Sequence, residues 1–204
     1  MKKVLLFVSM IATGLFSTIG QALAAEGNPK CPSININVLG MEKQLSSDWK
    51  PNDLQDELGA SLDLRPATWP LAIEVGYLYA TKKGNANTII TSGNTSTAYN
   101  NLQTQAITEE AFAGLKKNWT NAAGWNLFVS AGASWIKGSL QFANVGNFDS
   151  SQVGWYASLG GGYVIANFLE LGVIGRYSNN TVNVIGRDIN AGGLHYGVYA
   201  GIHI

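Results

Sequence analysis

Residues 71–81 read LAIEVGYLYAT, and this stretch decides the fold. Its odd positions carry large apolar or aromatic side chains, namely Leu71, Ile73, Val75, Tyr77 and Tyr79. Its even positions are mainly small or charged, namely Ala72, Glu74, Gly76, Leu78 and Ala80. Because successive side chains of a β-strand point to opposite faces, this period of two predicts a strand with one apolar face.

Seven further segments alternate in the same way and predict seven more strands. They cover residues 34–38, 58–65, 107–116, 125–137, 153–165, 169–178 and 194–204. The connections near residues 66–69, 118–124 and 166–168 are short, whereas those near 42–56, 82–105, 138–152 and 179–191 are longer and mostly polar. An even number of strands, with short turns at one end and long loops at the other, is typical of antiparallel barrels in outer membranes.

The low charge of the chain decides which face of these strands points outward. Of 204 residues, 46% are hydrophobic and only 13% are charged, with a formal net charge of zero. A soluble lipocalin-like barrel would turn its polar face to water, and soluble domains usually carry about 25% charged residues. We therefore expect the apolar face to contact lipid, where a closed sheet pairs every backbone group. The predicted fold class is an all-β, eight-stranded antiparallel up-and-down transmembrane β-barrel.

The N-terminus predicts export from the cytoplasm. Lys2 and Lys3 precede an apolar run, and Ala22 and Ala24 supply the small residues that a cleavage site needs. Residues 1–24 are therefore expected to be a cleaved signal peptide.

The mature chain is then divided into a short periplasmic segment, residues 25–33, and a barrel domain, residues 34–204. Without the two N-terminal lysines, 11 basic residues face 13 acidic ones. This balance gives no electrostatic argument for nucleic acid as a partner. Cys31 is the only cysteine, which excludes an intrachain disulfide, and the residues before it do not form a lipid-attachment signal.

Aromatic residues cluster at both ends of the expected strands rather than at their centres. This distribution predicts two aromatic girdles at the membrane interfaces, where amphipathic rings are favoured. The girdle at the short-turn end comprises Trp69, Trp119, Trp125, Tyr163 and Phe168, and the one at the long-loop end comprises Tyr79, Trp135, Trp155 and Tyr177.

The charged residues of the strands fall mainly on the face that points inward. The expected polar network of the lumen comprises Asp63, Arg65, Glu74, Glu110, Lys116, Glu170, Arg176, His195 and His203. Side chains can just fill an eight-stranded barrel, and buried charges are tolerated when they are paired. We expect a plug of ion pairs and hydrogen bonds, with a narrow ion or water path as the alternative.

The chain resembles the small bacterial outer-membrane β-barrel family of the OmpA/OmpX type, from residue 34 to the C-terminus. The resemblance rests on the signal peptide, the eight alternating strands, the girdles and the final alternating strand, although Ile204 stands where this family usually ends in an aromatic residue. It implies a monomer in the bacterial outer membrane. The implied partners are outer-membrane lipid, lipopolysaccharide and, during biogenesis, the barrel-assembly machinery. It implies no cofactor and no metal.

Two further interpretations concern chemistry and surface contact. The segment RYSN, residues 176–179, is similar to the His-x-Ser-Asn segment of lipid A deacylases, but Arg176 stands at the position of the histidine base. Arginine cannot accept a proton at neutral pH, so we expect no catalytic residues.

Basic residues near the outer rim are candidate contacts for lipopolysaccharide phosphates, namely Lys82, Lys83, Lys137 and Arg187. The expected function is non-catalytic, of structural or surface-interaction type. A narrow ion or water channel is the alternative, and a deacylase-like enzyme that modifies lipid A is the second alternative.

Overall fold

The computed structural model describes residues 32–92, 95–142, 146–166, 168–184 and 187–204. The expected signal peptide and Cys31 lie outside the described residues. The strands are β1 Ser33–Gln44, β2 Leu54–Arg65, β3 Ala72–Ser92, β4 Thr95–Thr120, β5 Trp125–Phe142, β6 Gly146–Ile165, β7 Leu169–Asn179, β8 Thr181–Val184, β9 Arg187–Asn190 and β10 Gly193–His203. Among the described residues, no helix is both long and apolar enough to cross a membrane.

Eight of these strands close into one antiparallel barrel in the order β1-β10-β7-β6-β5-β4-β3-β2. Neighbours in sequence are neighbours in space, and the first and last strands complete the ring, with Val38 opposite Ala200. The amide of Ile204 donates to the carbonyl of Ile34 at 2.8 Å. The predicted fold class, an eight-stranded up-and-down barrel, is confirmed.

The strands are longer than the alternation of apolar residues indicates. β1 and β2 pair from Ser33 opposite Arg65 to Gln44 opposite Leu54, so much of the expected loop at residues 42–56 is strand. β3 and β4 stay paired as far as Ser92 and Thr95, and β5 and β6 as far as Phe142 and Gly146. Backbone pairing continues past the apolar band. Side chains there do not contact lipid, so their sequence does not need to alternate between apolar and polar residues.

The outward face of the barrel is apolar along its middle and aromatic at its ends. Leu58, Leu159 and Val198 are 65%, 66% and 60% exposed. The rings of Trp125 and Tyr163 meet across β5 and β6 at the short-turn end, with centroids 5.3 Å apart. The remaining expected girdle residues also lie on the outward face, and they are exposed except for Trp119, which is half-buried: Trp69, Phe168, Tyr79, Trp135, Trp155 and Tyr177.

Bulky inward side chains lie opposite glycines on the neighbouring strand. Phe112 faces Gly76, and Phe128 faces Gly160. A Cβ atom added at Gly160 would lie 2.4 Å from Cζ of Phe128, closer than any real contact. In a barrel this narrow, large rings fit inside because the residue next to each ring, on the neighbouring strand, is a glycine without a side chain.

Two connections fold over the long-loop end of the barrel. The first contains the 3₁₀ helix Ser47–Trp49, and the second is the hairpin β8–β9. Trp49 is 1% exposed, and its Nε1 donates to the carbonyl of Asn190 at 2.8 Å. The apolar side chains packed here, which we call the outer cap, are Leu45, Trp49, Ala106, Ile136, Val182 and Ala191.

Candidate functional site: the barrel lumen

The lumen contains three layers of buried side chains beneath the outer cap. The outer cluster comprises Lys43, Glu57, Glu110, Arg176, Ser178 and His195. The apolar belt comprises Leu39, Met41, Leu78, Phe112, Phe128, Tyr156, Ile174 and Tyr199. The inner cluster, at the short-turn end, comprises Asp63, Glu74, Lys116, Glu170 and His203.

The inner cluster is organised around one lysine. Nζ of Lys116 lies 2.8 Å from Oδ2 of Asp63 and 3.5 Å from Oε1 of Glu74. The hydroxyl of Tyr156 donates to the other oxygen of Glu74 at 2.9 Å. The two carboxylates thus share a single ammonium group.

Glu170 forms the second half of the inner cluster, at the short-turn end of the barrel. It accepts hydrogen bonds from Asn126 at 2.7 Å and Tyr199 at 2.5 Å. Nε2 of His203 lies 2.7 Å from its other oxygen, and the His203 side chain is 26% exposed. Arg65 is half-buried at the end of β2, and its Nε has no hydrogen-bond partner among the described atoms.

The outer cluster surrounds the carboxylate of Glu110 with several partners. Arg176 donates a short hydrogen bond from Nη2 to Oε1 of Glu110. The other oxygen, Oε2, lies 4.0 Å from Nζ of Lys43, 3.9 Å from Nε2 of His195 and 3.2 Å from Oγ of Ser178. All five side chains are at most 3% exposed.

Three members of the outer cluster form a chain of hydrogen bonds across the barrel. Oγ of Ser178 on β7 lies 3.0 Å from Nε2 of His195 on β10, and Nδ1 of His195 lies 2.7 Å from Oε2 of Glu57 on β2. This order of serine, imidazole and carboxylate is the arrangement of a serine hydrolase triad. Arg176 stands at the position of the histidine in the motif, as the sequence shows, but strands other than β7 place an imidazole and a carboxylate beside Ser178.

The layer between the two clusters corrects the expectation of a uniformly polar lumen. The guanidinium of Arg176 lies over the rings of Phe112 and Tyr156, 4.0 and 3.8 Å from their centroids. A cavity among these side chains offers about 10 Å³ to the centres of water molecules, room for about one water. The alternation pattern indicated mainly small or charged residues inside, but every barrel strand except β2 places a ring or aliphatic side chain in this layer.

Lys43 and Glu57 are the charged members of the lumen that the sequence analysis missed. Lys43 lies in the expected loop at residues 42–56 and Glu57 directly follows it, so both lie on extensions of the expected strands. Both keep the inward parity of their strands, since Lys43 follows Asn37 by six residues and Glu57 precedes Asp63 by six. Extending the period of two through the polar residues would have found them.

The basic residues expected at the outer rim have acidic neighbours. Lys82 lies 3.9 Å from Asp56, and Lys137 lies 3.4 Å from Asp149, with all four side chains at least 37% exposed. Lys83 is exposed. The side chain of Arg187 lies outside the described residues. Within the described ranges, no group of three or more acidic, histidine or cysteine side chains could hold a metal ion.

Solved structures resemble this chain in fold, although no family model and no curated protein sequence matches it. The outer membrane protein OprG of Pseudomonas aeruginosa superposes with a TM-score of 0.61 at 9% identity, covering 87% of this chain and 98% of that one. A major outer membrane protein of Thermus thermophilus has a TM-score of 0.54 at 10% identity, covering 85% and 99%. The attachment invasion locus protein Ail of Yersinia pestis has a TM-score of 0.53 at 10% identity, covering 85% and 97%.

The chain has the fold of the small outer-membrane β-barrels. The exposed apolar band and the aromatic residues at both of its edges agree with this fold, because lipid favours both features. The fold and this outward face are those of outer-membrane proteins. In barrels of this kind the short turns face the periplasm. This orientation would put the inner cluster on the periplasmic side and the outer cap on the cell surface.

Proposed function

We propose that this protein is a structural and surface-interaction barrel of the outer membrane, with a closed lumen and no catalysis in its resting form. The observation that carries the proposal is the succession of barriers inside the barrel. Trp49 in the cap is 1% exposed, and Phe128 in the belt is 3% exposed. The cavity between the clusters has room for about one water molecule, which supports a lumen that is closed to solutes along the described residues.

The part of the barrel that supports a surface role is the hairpin of β3 and β4. β2 pairs with β3 only as far as Thr81, while β3 continues to Ser92. At about 3.3 Å per residue, this extension reaches roughly 35 Å along the strand beyond its neighbour. Residues 84–105 contain no charged side chain and are rich in Asn, Thr and Ser. A surface of this kind contacts partners through hydrogen bonds rather than through charge.

Lipopolysaccharide remains the proposed neighbour of the outer rim. Lys82, Lys83 and Lys137 carry the ammonium groups that would meet its phosphates by charge-assisted hydrogen bonds. Asp56 and Asp149 lie close to two of these lysines, so each of these two is already partly neutralised. We therefore assign the rim a supporting role and the uncharged hairpin the main one.

Planar-bilayer recording of the refolded protein tests the closed lumen. We expect no steady conductance from the wild type. Trp49→Ala should also stay silent, because the apolar belt still blocks the lumen when the cap is weakened. Steady single-channel conductance of the wild type would overturn the proposal and favour a narrow ion or water channel.

Cells that lack the protein test the surface role. Uptake of a hydrophobic dye reports envelope integrity, and attachment of whole cells to a surface coated with purified lipopolysaccharide reports surface contact. A form in which a two-residue turn replaces residues 85–103, so that Gly84 stays opposite Thr104, should restore low dye uptake but not attachment. If this shortened form restores both, the hairpin has no role in contact.

A further inference from the structure

We propose that Ser178, His195 and Glu57 form a latent serine-hydrolase site for uncharged carboxylic esters with an apolar acyl group, which the outer cap closes at rest. The inference goes beyond the structural role proposed above. It rests on the hydrogen-bonded chain of these three residues, on two unpaired donors beside them and on the apolar composition of the cap.

The contacts of His195 fix which ring nitrogen would serve Ser178. Two basic side chains, Lys43 and Arg176, and two acidic ones, Glu57 and Glu110, surround the ring. The carboxylate of Glu57 is an acceptor of hydrogen bonds. Nδ1, 2.7 Å from Glu57, then carries the proton and donates it to the carboxylate. In a neutral imidazole, which general-base catalysis requires, Nε2 is left as an acceptor 3.0 Å from Oγ of Ser178. At rest the Ser178 hydroxyl donates to Oε2 of Glu110 at 3.2 Å, so it turns to His195 when the site is active.

Two buried donors in this region have no partner. Nε of Arg176 and Nε2 of Gln55 make no hydrogen bond to the described residues, although the two side chains are 3% and 0% exposed. Arg176 precedes Ser178 by two residues on β7, and Gln55 precedes Glu57 by two on β2, so both donors share the inward face with the triad. An unpaired buried donor is costly. Donors of this kind stabilise the oxyanion that forms when a serine attacks an ester.

The outer cap determines access to Ser178 and the class of substrate. Ser178 lies at the end of β7, one residue from Asn179, and the base of the β8–β9 hairpin is held there by a 2.9 Å hydrogen bond from Ala191 to Asn180. The cap above is apolar and contains Trp49 and Val182, each 1% exposed. When the two connections that carry Trp49 and Val182 open, an apolar acyl chain can pack against Ala106 and Ile136, which stay on the barrel wall. The mixture of basic and acidic side chains in the cluster favours an uncharged ester group over an ion.

The reaction is ordinary ester hydrolysis with water as the second substrate. Oγ of Ser178 forms a bond to the carbonyl carbon while its proton passes to Nε2 of His195, and Glu57 stabilises the imidazolium. The C–O bond to the leaving group breaks, and the alcohol departs with the proton from His195. Water then attacks the acyl-serine, again with His195 as base, and releases the carboxylic acid. Ser178 faces the lumen, so the substrate enters from the cell-surface end and not from the lipid.

Labelling with an alkyl fluorophosphonate tests the proposal on the refolded full barrel in detergent. The probe phosphonylates only activated serines, and mass analysis of peptides locates the adduct. We expect slow labelling of the wild type at Ser178, faster labelling of Trp49→Ala, and none of Ser178→Ala. His195→Gln in the Trp49→Ala background should lower the rate by about 10²–10⁴-fold, as expected for loss of a general base.

A matched control is Ser158→Ala. Ser158 is also buried in the lumen, but its hydroxyl pairs with Ser130 at 2.5 Å and not with a base, so labelling should be unchanged. Heat-modifiable gel migration shows that each variant is folded. If folded Trp49→Ala is not labelled at Ser178, or if His195→Gln is labelled as fast as its parent, the site is structural and the proposal is wrong. Bilayer recordings do not depend on the labelling result. They therefore test the proposal of a closed lumen separately.

Discussion

The two charged clusters of the lumen bury similar side chains but balance them differently. In the outer cluster, Glu110 is hydrogen-bonded to Arg176 and also lies 4.0 Å from Nζ of Lys43. In the inner cluster, Asp63 and Glu74 both depend on Lys116. The outer cluster therefore has redundant cations, whereas the inner one has a single shared cation for these two acids.

Because of this difference, the free-energy cost of removing a buried charge should depend on which other charges remain near its former partner. Removing one member of a buried pair leaves an uncompensated charge, which is the expensive outcome. A second cation close by limits that cost. Four substitutions, taken from the largest expected effect to the smallest, put the comparison to the test.

The largest effect is expected for Lys116→Met. The substitution keeps an unbranched side chain but leaves Asp63 and Glu74, which are 2% and 4% exposed, without their common cation. We expect the free energy of unfolding to fall by about 3–5 kcal/mol, measured by urea titration of tryptophan fluorescence in lipid vesicles. Adding Asp63→Asn should recover part of the loss, because one stranded charge is then removed. A loss below about 1 kcal/mol would show that the cluster is not dry.

A smaller effect is expected for Arg176→Met in the outer cluster. Glu110 loses its hydrogen bond to Arg176 but keeps Nζ of Lys43 at 4.0 Å. The same titration should give a loss of about 1.5–3 kcal/mol, the usual value of a hydrogen bond to a charged group. If Arg176→Met is as destabilising as Lys116→Met, Lys43 does not compensate and the two clusters are equivalent.

The sequence predicts the barrel well because lipid imposes a strict period of two on the apolar band. Leu58, Leu159 and Val198 follow this period and are all exposed on the outward face. The same period put Glu110 and Arg176 on the inward face, where they form an ion pair. The prediction worked wherever one face had to contact lipid.

The outer end was less predictable because no such constraint acts there. Lys43 lies beyond the apolar band, where strand pairing continues without alternating hydrophobicity. Trp49 and Val182 are single apolar residues in polar segments, and they meet in the cap from positions 133 residues apart. The contact of Ser178 with His195 and Glu57 likewise depends on the register of β7, β10, β1 and β2, which no local pattern shows.

The belt that separates the two clusters provides the third prediction. Gly160→Ala adds a methyl group 2.4 Å from the ring of Phe128 and 2.6 Å from the carbonyl of Val173. Overpacking of this kind costs about 1–3 kcal/mol, which the same urea titration would detect. Gly175→Ala is the matched control, since nothing lies within 4 Å of the added Cβ at this position on β7. Equal stability of the two variants would mean that the belt is loosely packed.

The smallest effect is expected for Lys137→Ala at the outer rim. Lys137 lies 3.4 Å from Asp149, closer than Lys43 is to Glu110, but the two side chains are 37% and 57% exposed. Water and salt screen such a pair, so we expect a loss of about 0–1 kcal/mol. The difference from the wild type should vanish when the titration is repeated in about 1 M salt, where the screening length falls to about 3 Å. A larger loss that persists in high salt would contradict this expectation. It would mean that burial does not determine how much an ion pair contributes to stability, because this exposed pair would then act as the buried ones do.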